Sequence, residues 1–207
     1  MFWKLNKIQF PVYNLGPGKR LAIWVQGCNL GCKGCINPEL WNQNGGKNIG
    51  IETLAAGILK IKNSFDGLTI TGGEPFEQYE ALVAFCSYIK LKSSLNILVY
   101  TGFTIDELIA KFPDKLFTRS LDYLIDGRFV SSLAESDNIK GSSNQNFYTF
   151  ENGKFTVGNH LAFDGKWSLN LSETNELFMA GIPKKDDINA LIGHLNESGI
   201  NLKFNDV

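Results

Sequence analysis

Three cysteines fall within eight residues, Cys28-Asn-Leu-Gly-Cys32-Lys-Gly-Cys35. A Cys-x3-Cys-x2-Cys loop can bring three thiolates to one metal centre, and soft sulfur ligands favour an iron–sulfur cluster or zinc. A structural zinc site normally closes its tetrahedron with a fourth Cys or His nearby. Here the next candidates, Cys86 and His160, stand far along the chain. An iron left one ligand short can bind something else. Disulfides would leave an odd thiol and suit secreted chains. Three buried thiols in a turn is the bland alternative, and clustered cysteines between glycines rarely serve only as filler.

Such a loop needs a rigid element to hold it. Leu21-Ala-Ile-Trp-Val25 is a continuous apolar run, the mark of a strand buried on both faces in a parallel sheet, and the cysteines follow it directly. In α/β proteins chemistry gathers at the carboxyl ends of parallel strands. The same grammar repeats down the chain. A helical pattern starts at Ile51 and ends near Asn63, and a strand Leu68-Thr-Ile-Thr71 runs into Gly72-Gly73-Glu74-Pro75. There the missing β-carbons leave room for close approach. A helix from Glu77 to about Leu91 places Cys86 on its apolar face, as an ordinary buried thiol. A third strand, residues 95–100, closes on Thr101-Gly102. Thr104-Ile-Asp-Glu107 is a capping box for a helix that stops before Pro113. A fourth strand, residues 123–126, ends on the Asp126 carboxylate.

Four successive βα steps predict an α/β fold, an incomplete (β/α) barrel. Ahead of it, residues 3–13 read as an extended leader. Residues 38–42 read as a helical turn and residues 43–48 as a flexible connection. Beyond it, residues 131–146 read as a polar loop and residues 147–171 as two β-hairpins, turning at Asn152-Gly153 and Asp164-Gly165. A last strand, helix and strand, residues 176–180, 186–198 and 200–204, could add further staves. The domain division is then a core of residues 1–146 and a C-terminal part, residues 147–207, packed on it. His160 and His194 read as surface residues.

The chain has 207 residues, 43% of them hydrophobic and 12% aromatic, ample for a packed core. Net charge is −1 and the isoelectric point about 6.1, which asks for neither nucleic acid nor an acidic membrane surface. The N-terminus lacks the apolar core of a signal peptide, and no stretch reaches the ~18 apolar residues of a membrane span. The expected location is the cytoplasm, where thiols stay reduced.

Gly16-Pro-Gly-Lys-Arg20, Trp24-Val-Gln-Gly-Cys28, the three cysteines and Thr71-Gly-Gly-Glu74-Pro75 together resemble the radical S-adenosylmethionine (SAM) enzymes. Within that superfamily the chain resembles the activating enzymes of glycyl radical enzymes, above all the activating proteins of anaerobic ribonucleotide reductase. Asp122-Tyr-Leu-Ile-Asp126-Gly-Arg128-Phe129 and Gly141-Ser-Ser-Asn-Gln145 resemble later motifs, so the likeness spans about residues 10–146.

The resemblance implies a [4Fe-4S] cluster on Cys28, Cys32 and Cys35, whose open iron is chelated by the amino and carboxylate groups of SAM. It implies cofactor contacts from Gly72, Gly73 and Glu74, with Thr101 and Asp126 at the ends of the next two strands. Reductive cleavage of SAM would give methionine and a 5′-deoxyadenosyl radical. The implied partners are a glycyl radical enzyme such as anaerobic ribonucleotide reductase and a low-potential donor such as flavodoxin or ferredoxin. Many radical SAM loops carry an aromatic residue before the last cysteine. Gly34 stands there instead, as in the ribonucleotide reductase activases. The Asp-x-Lys of related activases becomes Asp126-Gly-Arg128, a bulkier planar fork. Arg20 and Asp126 are read as supporting the ligand site or as purely structural. Gly141–Gln145 is by composition a solvated loop, which the resemblance raises to a site or partner surface. Two other functions stay open: a radical SAM enzyme acting on a small molecule or peptide, and a non-enzymatic iron–sulfur or zinc module.

Overall fold

The computed structural model describes residues 1–134, 139–158, 167–171, 177–181 and 185–197. An eight-stranded mixed sheet organises the chain in the order β3-β1-β2-β4-β5-β6-β7-β8. Its strands are β1 (Phe2–Val12), β2 (Arg20–Val25), β3 (Lys47–Gly50), β4 (Gly67–Gly72), β5 (Asn96–Tyr100), β6 (Tyr123–Asp126), β7 (Asn146–Glu151) and β8 (Lys154–Val157). Strands β2, β4, β5 and β6 are parallel neighbours, and the flanking pairs are antiparallel.

The parallel quartet explains the apolar runs. Ile23 pairs with Ile70, Ile70 with Val99 and Val99 with Leu124, so one row of branched side chains crosses all four strands. All four are fully buried in the main core. That face is covered by α1 (Ile51–Lys60) and α2 (Tyr79–Lys92), whose Leu54, Ala55 and Ile58, and Leu82, Phe85 and Ile89, pack into the same core. Burying each such Leu or Ile contributes about 1.5–3 kcal/mol, so truncating Ile70 to Ala would cost about 2–5 kcal/mol. Strand side chains alternate between faces. The next residues, Trp24, Thr71 and Tyr100, therefore leave this core and line a cavity on the opposite face.

Thr104 caps α3 (Ile105–Lys111) in a reciprocal capping box with Glu107, and the short α4 (Phe117–Ser120) precedes β6. The leader read as extended is β1, antiparallel to β2. One sequence expectation needs correcting: residues 43–48 are not wholly a connection, because Lys47–Gly50 forms β3 on the edge of β1. Polar side chains at Lys47 and Asn48 hid the strand, whose pairing is made by backbone groups.

After β8 come β9 (Trp167–Leu171), β10 (Leu177–Gly181) and α5 (Lys185–Glu197). β10 pairs antiparallel with β9 in a separate two-stranded sheet, so it adds no stave to the main sheet. Instead Ala180 buries against Val12, Ala22, Trp24 and Leu40, and its carbonyl accepts from Asn14 Nδ2. His194 is exposed and lies 3.7 Å from Glu197. The turn read at Asp164-Gly165, His160 and the strand read at residues 200–204 lie outside the described residues.

Candidate metal and cofactor site

The cysteine loop is fastened before its first cysteine. Gly73 N donates to Val25 O and Glu74 N to Gly27 O, each at 2.8 Å, so the Gly-Gly-Glu segment extends the β2–β4 pairing along the root of the loop. A β-carbon on Gly73 would overlap the Gly27 carbonyl, coming within 2.8 Å of its carbon. On Gly72, at φ +106°, it would come within 2.6 Å of Val25 N. Both glycines therefore serve a backbone-to-backbone approach. Gln26, almost fully buried, reaches across the loop to Asn42 O at 2.8 Å and Glu39 O at 3.3 Å, and accepts from Asn6 Nδ2 at 2.8 Å.

Cys28, Cys32 and Cys35 are free thiols, each partly exposed, and all three line one cavity of about 350 Å³. Gly72, Gly73, Glu74, Thr101 and Gly102 line it too. Among the described residues no three His, Cys, Asp or Glu side chains are already gathered as a metal-holding group. The donor set nevertheless fits a cluster. Burial pushes the Cys28 thiol up to about 11 and raises Cys32 as well, so thiolates there call for a compensating cation. The Leu30 and Phe129 backbones hydrogen-bond the Cys28 and Cys32 sulfurs and favour the thiolates. Hydrogen bonds to sulfur are one of the levers proteins use on iron–sulfur clusters. Cys86, fully buried in α2, stands apart from the cavity, and burial raises its thiol strongly.

Glu74 is 1% exposed, and its carboxylate is largely occupied. Oε1 accepts from Phe76 N at 2.9 Å and Thr101 Oγ1 at 2.8 Å, and Oε2 accepts from Gly102 N at 2.8 Å. It thereby clamps the ends of β4 and β5 together. Burial pushes its carboxyl up to about 7 against the pull of those donors. Thr101 Oγ1 also accepts from Phe103 N at 3.1 Å. A β-carbon on Gly102 would overlap Leu30 Cδ1, so this glycine makes room for the cysteine loop.

Asp126 does not line the cavity. Its buried carboxylate accepts from Ile105 N at 2.7 Å, at the start of α3, and from Asn146 N and Nδ2 at 3.1 and 3.0 Å, at the start of β7. Arg20 is at the opposite, amino ends of the strands. Fully buried, it donates to Thr69 Oγ1 at 2.7 Å, Asn96 Oδ1 at 2.6 Å, Pro17 O at 3.1 Å and Leu68 O. Burial lowers its guanidinium to about 10. It is a structural residue, and Arg128 pairs with Glu107 at 3.3 Å outside the cavity.

The Gly141–Gln145 segment is not the solvated loop its composition suggests. Ser142 is fully buried and Gln145 is 8% exposed. Gln145 Oε1 accepts from Gly141 N at 2.8 Å and Ser142 N at 3.1 Å, while Nε2 donates to Gly127 O at 2.7 Å. Gly141 and Gln145 line the cavity with Ile139 and Lys140. Phe129 lines it as well, close to Gly34, where a β-carbon would meet Ser131 Cβ at 2.9 Å. Trp24, Trp41, Asn14 and Lys7, with Lys7 Nζ 5.3 Å from the Trp24 ring centre, line it from β1, β2 and the loops that follow them. Of these four only Trp24 stands in a motif legible in the sequence, Trp24-Val-Gln-Gly-Cys28; Lys7 and Trp24 reach this face through strand register, and Asn14 and Trp41 through the path of the loops.

A family profile described as a 4Fe-4S single cluster domain matches residues 14–148. The anaerobic ribonucleoside-triphosphate reductase-activating protein of Pasteurella multocida is 33% identical over 158 residues, covering 70% of this chain and 98% of that protein. The pyruvate formate-lyase-activating enzyme of Clostridium pasteurianum is 43% identical over 72 residues, covering 33% of this chain and 30% of its own. Among solved structures, QueE from Escherichia coli overlaps 50% of this chain and 54% of its own with a TM-score of 0.42 and 20% identity, too loose a likeness to argue from.

Proposed function

Because this chain belongs to the 4Fe-4S single cluster domain family, and within it to the activating proteins of anaerobic ribonucleoside-triphosphate reductases, we propose that it is a radical SAM activase that generates a glycyl radical on a partner enzyme. The observation that carries the reading is the convergence of Cys28, Cys32 and Cys35 with Gly72, Gly73 and Glu74 on one cavity at the carboxyl ends of β2 and β4. Cys28, Cys32 and Cys35 would hold the [4Fe-4S] cluster, and SAM would lie in the same cavity. Bound there, the two supply reductive cleavage of SAM and the 5′-deoxyadenosyl radical.

The chain's own residues prepare the place. Glu74 fixes the Thr101–Gly102 corner, so backbone groups at the ends of β4 and β5 are set before a ligand arrives. Gly72 and Gly73 act by letting β4 lie against the cysteine loop, and Asp126 acts from behind by anchoring α3 and β7. Trp24, Trp41 and Phe129 give the cavity apolar walls that exclude water from a reactive radical.

The finer architecture belongs to the same proposal. Residues 1–146 would form an incomplete (β/α) barrel of the radical SAM type, with β2, β4, β5 and β6 as parallel staves. Residues 147–207 would form a C-terminal β-hairpin region packed on it, starting with β7 and β8, which continue the core sheet. The sheet ends on β3 and β8, which do not pair with each other, so the barrel would stay open and its flank would admit a peptide loop. The partner is a glycyl radical enzyme, such as an anaerobic ribonucleotide reductase, and the electron donor a low-potential flavodoxin or ferredoxin in the cytoplasm. No helix among the described residues is long and apolar enough to cross a membrane.

The test is anaerobic. Reconstituted protein with SAM and a low-potential reductant should release 5′-deoxyadenosine and methionine, and Cys28→Ala should not. A wild-type protein that carries iron yet leaves SAM intact would overturn the proposal.

A further inference from the structure

Glu77 lies outside the cavity that holds the cysteines, in the 3-10 turn Pro75–Gln78 that follows the Gly-Gly-Glu segment. Its carboxylate turns back onto the cysteine loop. Oε1 accepts from Asn29 N at 2.9 Å, Oε2 accepts from Asn29 Nδ2 at 2.9 Å, and Oε2 also accepts from Gln43 Nε2 at 3.2 Å. One side chain thus holds the residue after Cys28 by both its main chain and its side chain, and ties it to the segment that leaves the loop. Asn29 is exposed, and the loop around it carries a left-handed glycine, Gly31 at φ +59°. The rest of the turn between Cys28 and Cys32 is held from the cavity side, where Leu30 packs beside Gly102.

We propose that Glu77 is a positioning residue for the metal centre: by grasping Asn29 in two places it sets the turn that presents the Cys28 and Cys32 sulfurs. The inference rests on the reading of the three cysteines as cluster ligands. Hydrogen bonds to an ionised acceptor are about twice as strong as neutral ones, and two parallel bonds add directional control. Glutamine at this place keeps one acceptor but turns a donor toward the other Asn29 donor, so the grip is halved without a change of size.

The test compares wild type, Glu77→Gln and Glu77→Ala with Glu80→Gln, an exposed carboxylate on the same flank, as control. Hydrogen exchange at the Asn29 and Leu30 amides of the apoprotein should quicken about tenfold in Glu77→Ala, and less in Glu77→Gln, the scale of one lost charge-assisted bond. Loss of iron from the reconstituted holoprotein to a chelator should quicken in the same order, with unfolding midpoints near wild type. Glu80→Gln should match wild type in both. If Glu77→Ala and Glu77→Gln hold iron and protect Asn29 as wild type does, the inference is wrong while the cluster reading stands. If wild type itself takes up no iron, the cluster reading fails and the exchange data alone report whether Glu77 orders the loop.

Discussion

Gly73 lies so close to Gly27 that no side chain fits between β4 and the root of the cysteine loop, and the two backbones are joined on either side by the Val25–Gly73 and Gly27–Glu74 hydrogen bonds. Gly73→Ala should therefore act on the loop before it acts on any ligand. The expected loss is about 3 kcal/mol in urea unfolding, together with reduced iron uptake. Normal stability and iron content with only SAM affinity lost would place the close approach at the ligand instead.

Replacing any one of Cys28, Cys32 or Cys35 by Ala should abolish the visible absorption of the reconstituted protein, which in wild type should accompany about four irons per chain. Cys86→Ala should keep both, because Cys86 is sealed in the core on the buried face of α2, and should cost about 1–2 kcal/mol of stability. Stoichiometric zinc without iron after anaerobic purification would contradict the cluster.

Glu74 carries a pH signature. Its folded value of about 7 lies above its ordinary 4.5, so the fold favours the protonated form. That stabilisation is fully present below about 4.5 and is lost as pH rises through about 7. Apoprotein stability should fall between pH 5 and pH 8 by an amount on the order of 2 kcal/mol, and Glu74→Gln should flatten that fall. Glu74→Gln should also lower stability at pH 5, since its amide turns a donor toward Gly102 N–H. A wild-type slope that survives in Glu74→Gln would assign it to another group.

Gln145 and Asn144 should separate cleanly. Gln145→Ala strands Gly141 N, Ser142 N and Gly127 O in a buried turn and should cost about 2–3 kcal/mol. Asn144 is exposed and makes a bond to Arg128 O at 2.9 Å. Asn144→Ala should therefore leave stability within about 0.5 kcal/mol and reduce radical transfer to a partner more than partner-independent SAM cleavage. Equal loss of both activities would take Asn144 out of the partner surface.

What the sequence could carry was local. The apolar run of β2, the capping box of α3 and the carboxylate ending β6 could be read because spacing and residue type are set by their own segments. The three cysteines and Gly72–Glu74 could be read because each sits at a strand end. Pairing partners could not. β3 is held by the backbone of β1, so its polar residues gave no strand signal, and Trp24 and Tyr100 reach one cavity only through register. Glu74 reads as a ligand contact by position, yet its oxygens face Phe76, Thr101 and Gly102, contacts that depend on how β5 lies beside β4. The Gly141–Gln145 segment reads as solvated because small and amide residues usually are; here Gln145 turns inward to satisfy its neighbours' amides.

The central claim is best tested on the partner. The reconstituted protein should be mixed anaerobically with SAM, a low-potential reductant and a candidate glycyl radical enzyme, then frozen for electron paramagnetic resonance. The account predicts a glycyl radical on the partner that forms together with 5′-deoxyadenosine and is absent with Cys32→Ala. Partner-independent turnover of a small molecule, with no radical transferred to any protein, would contradict it.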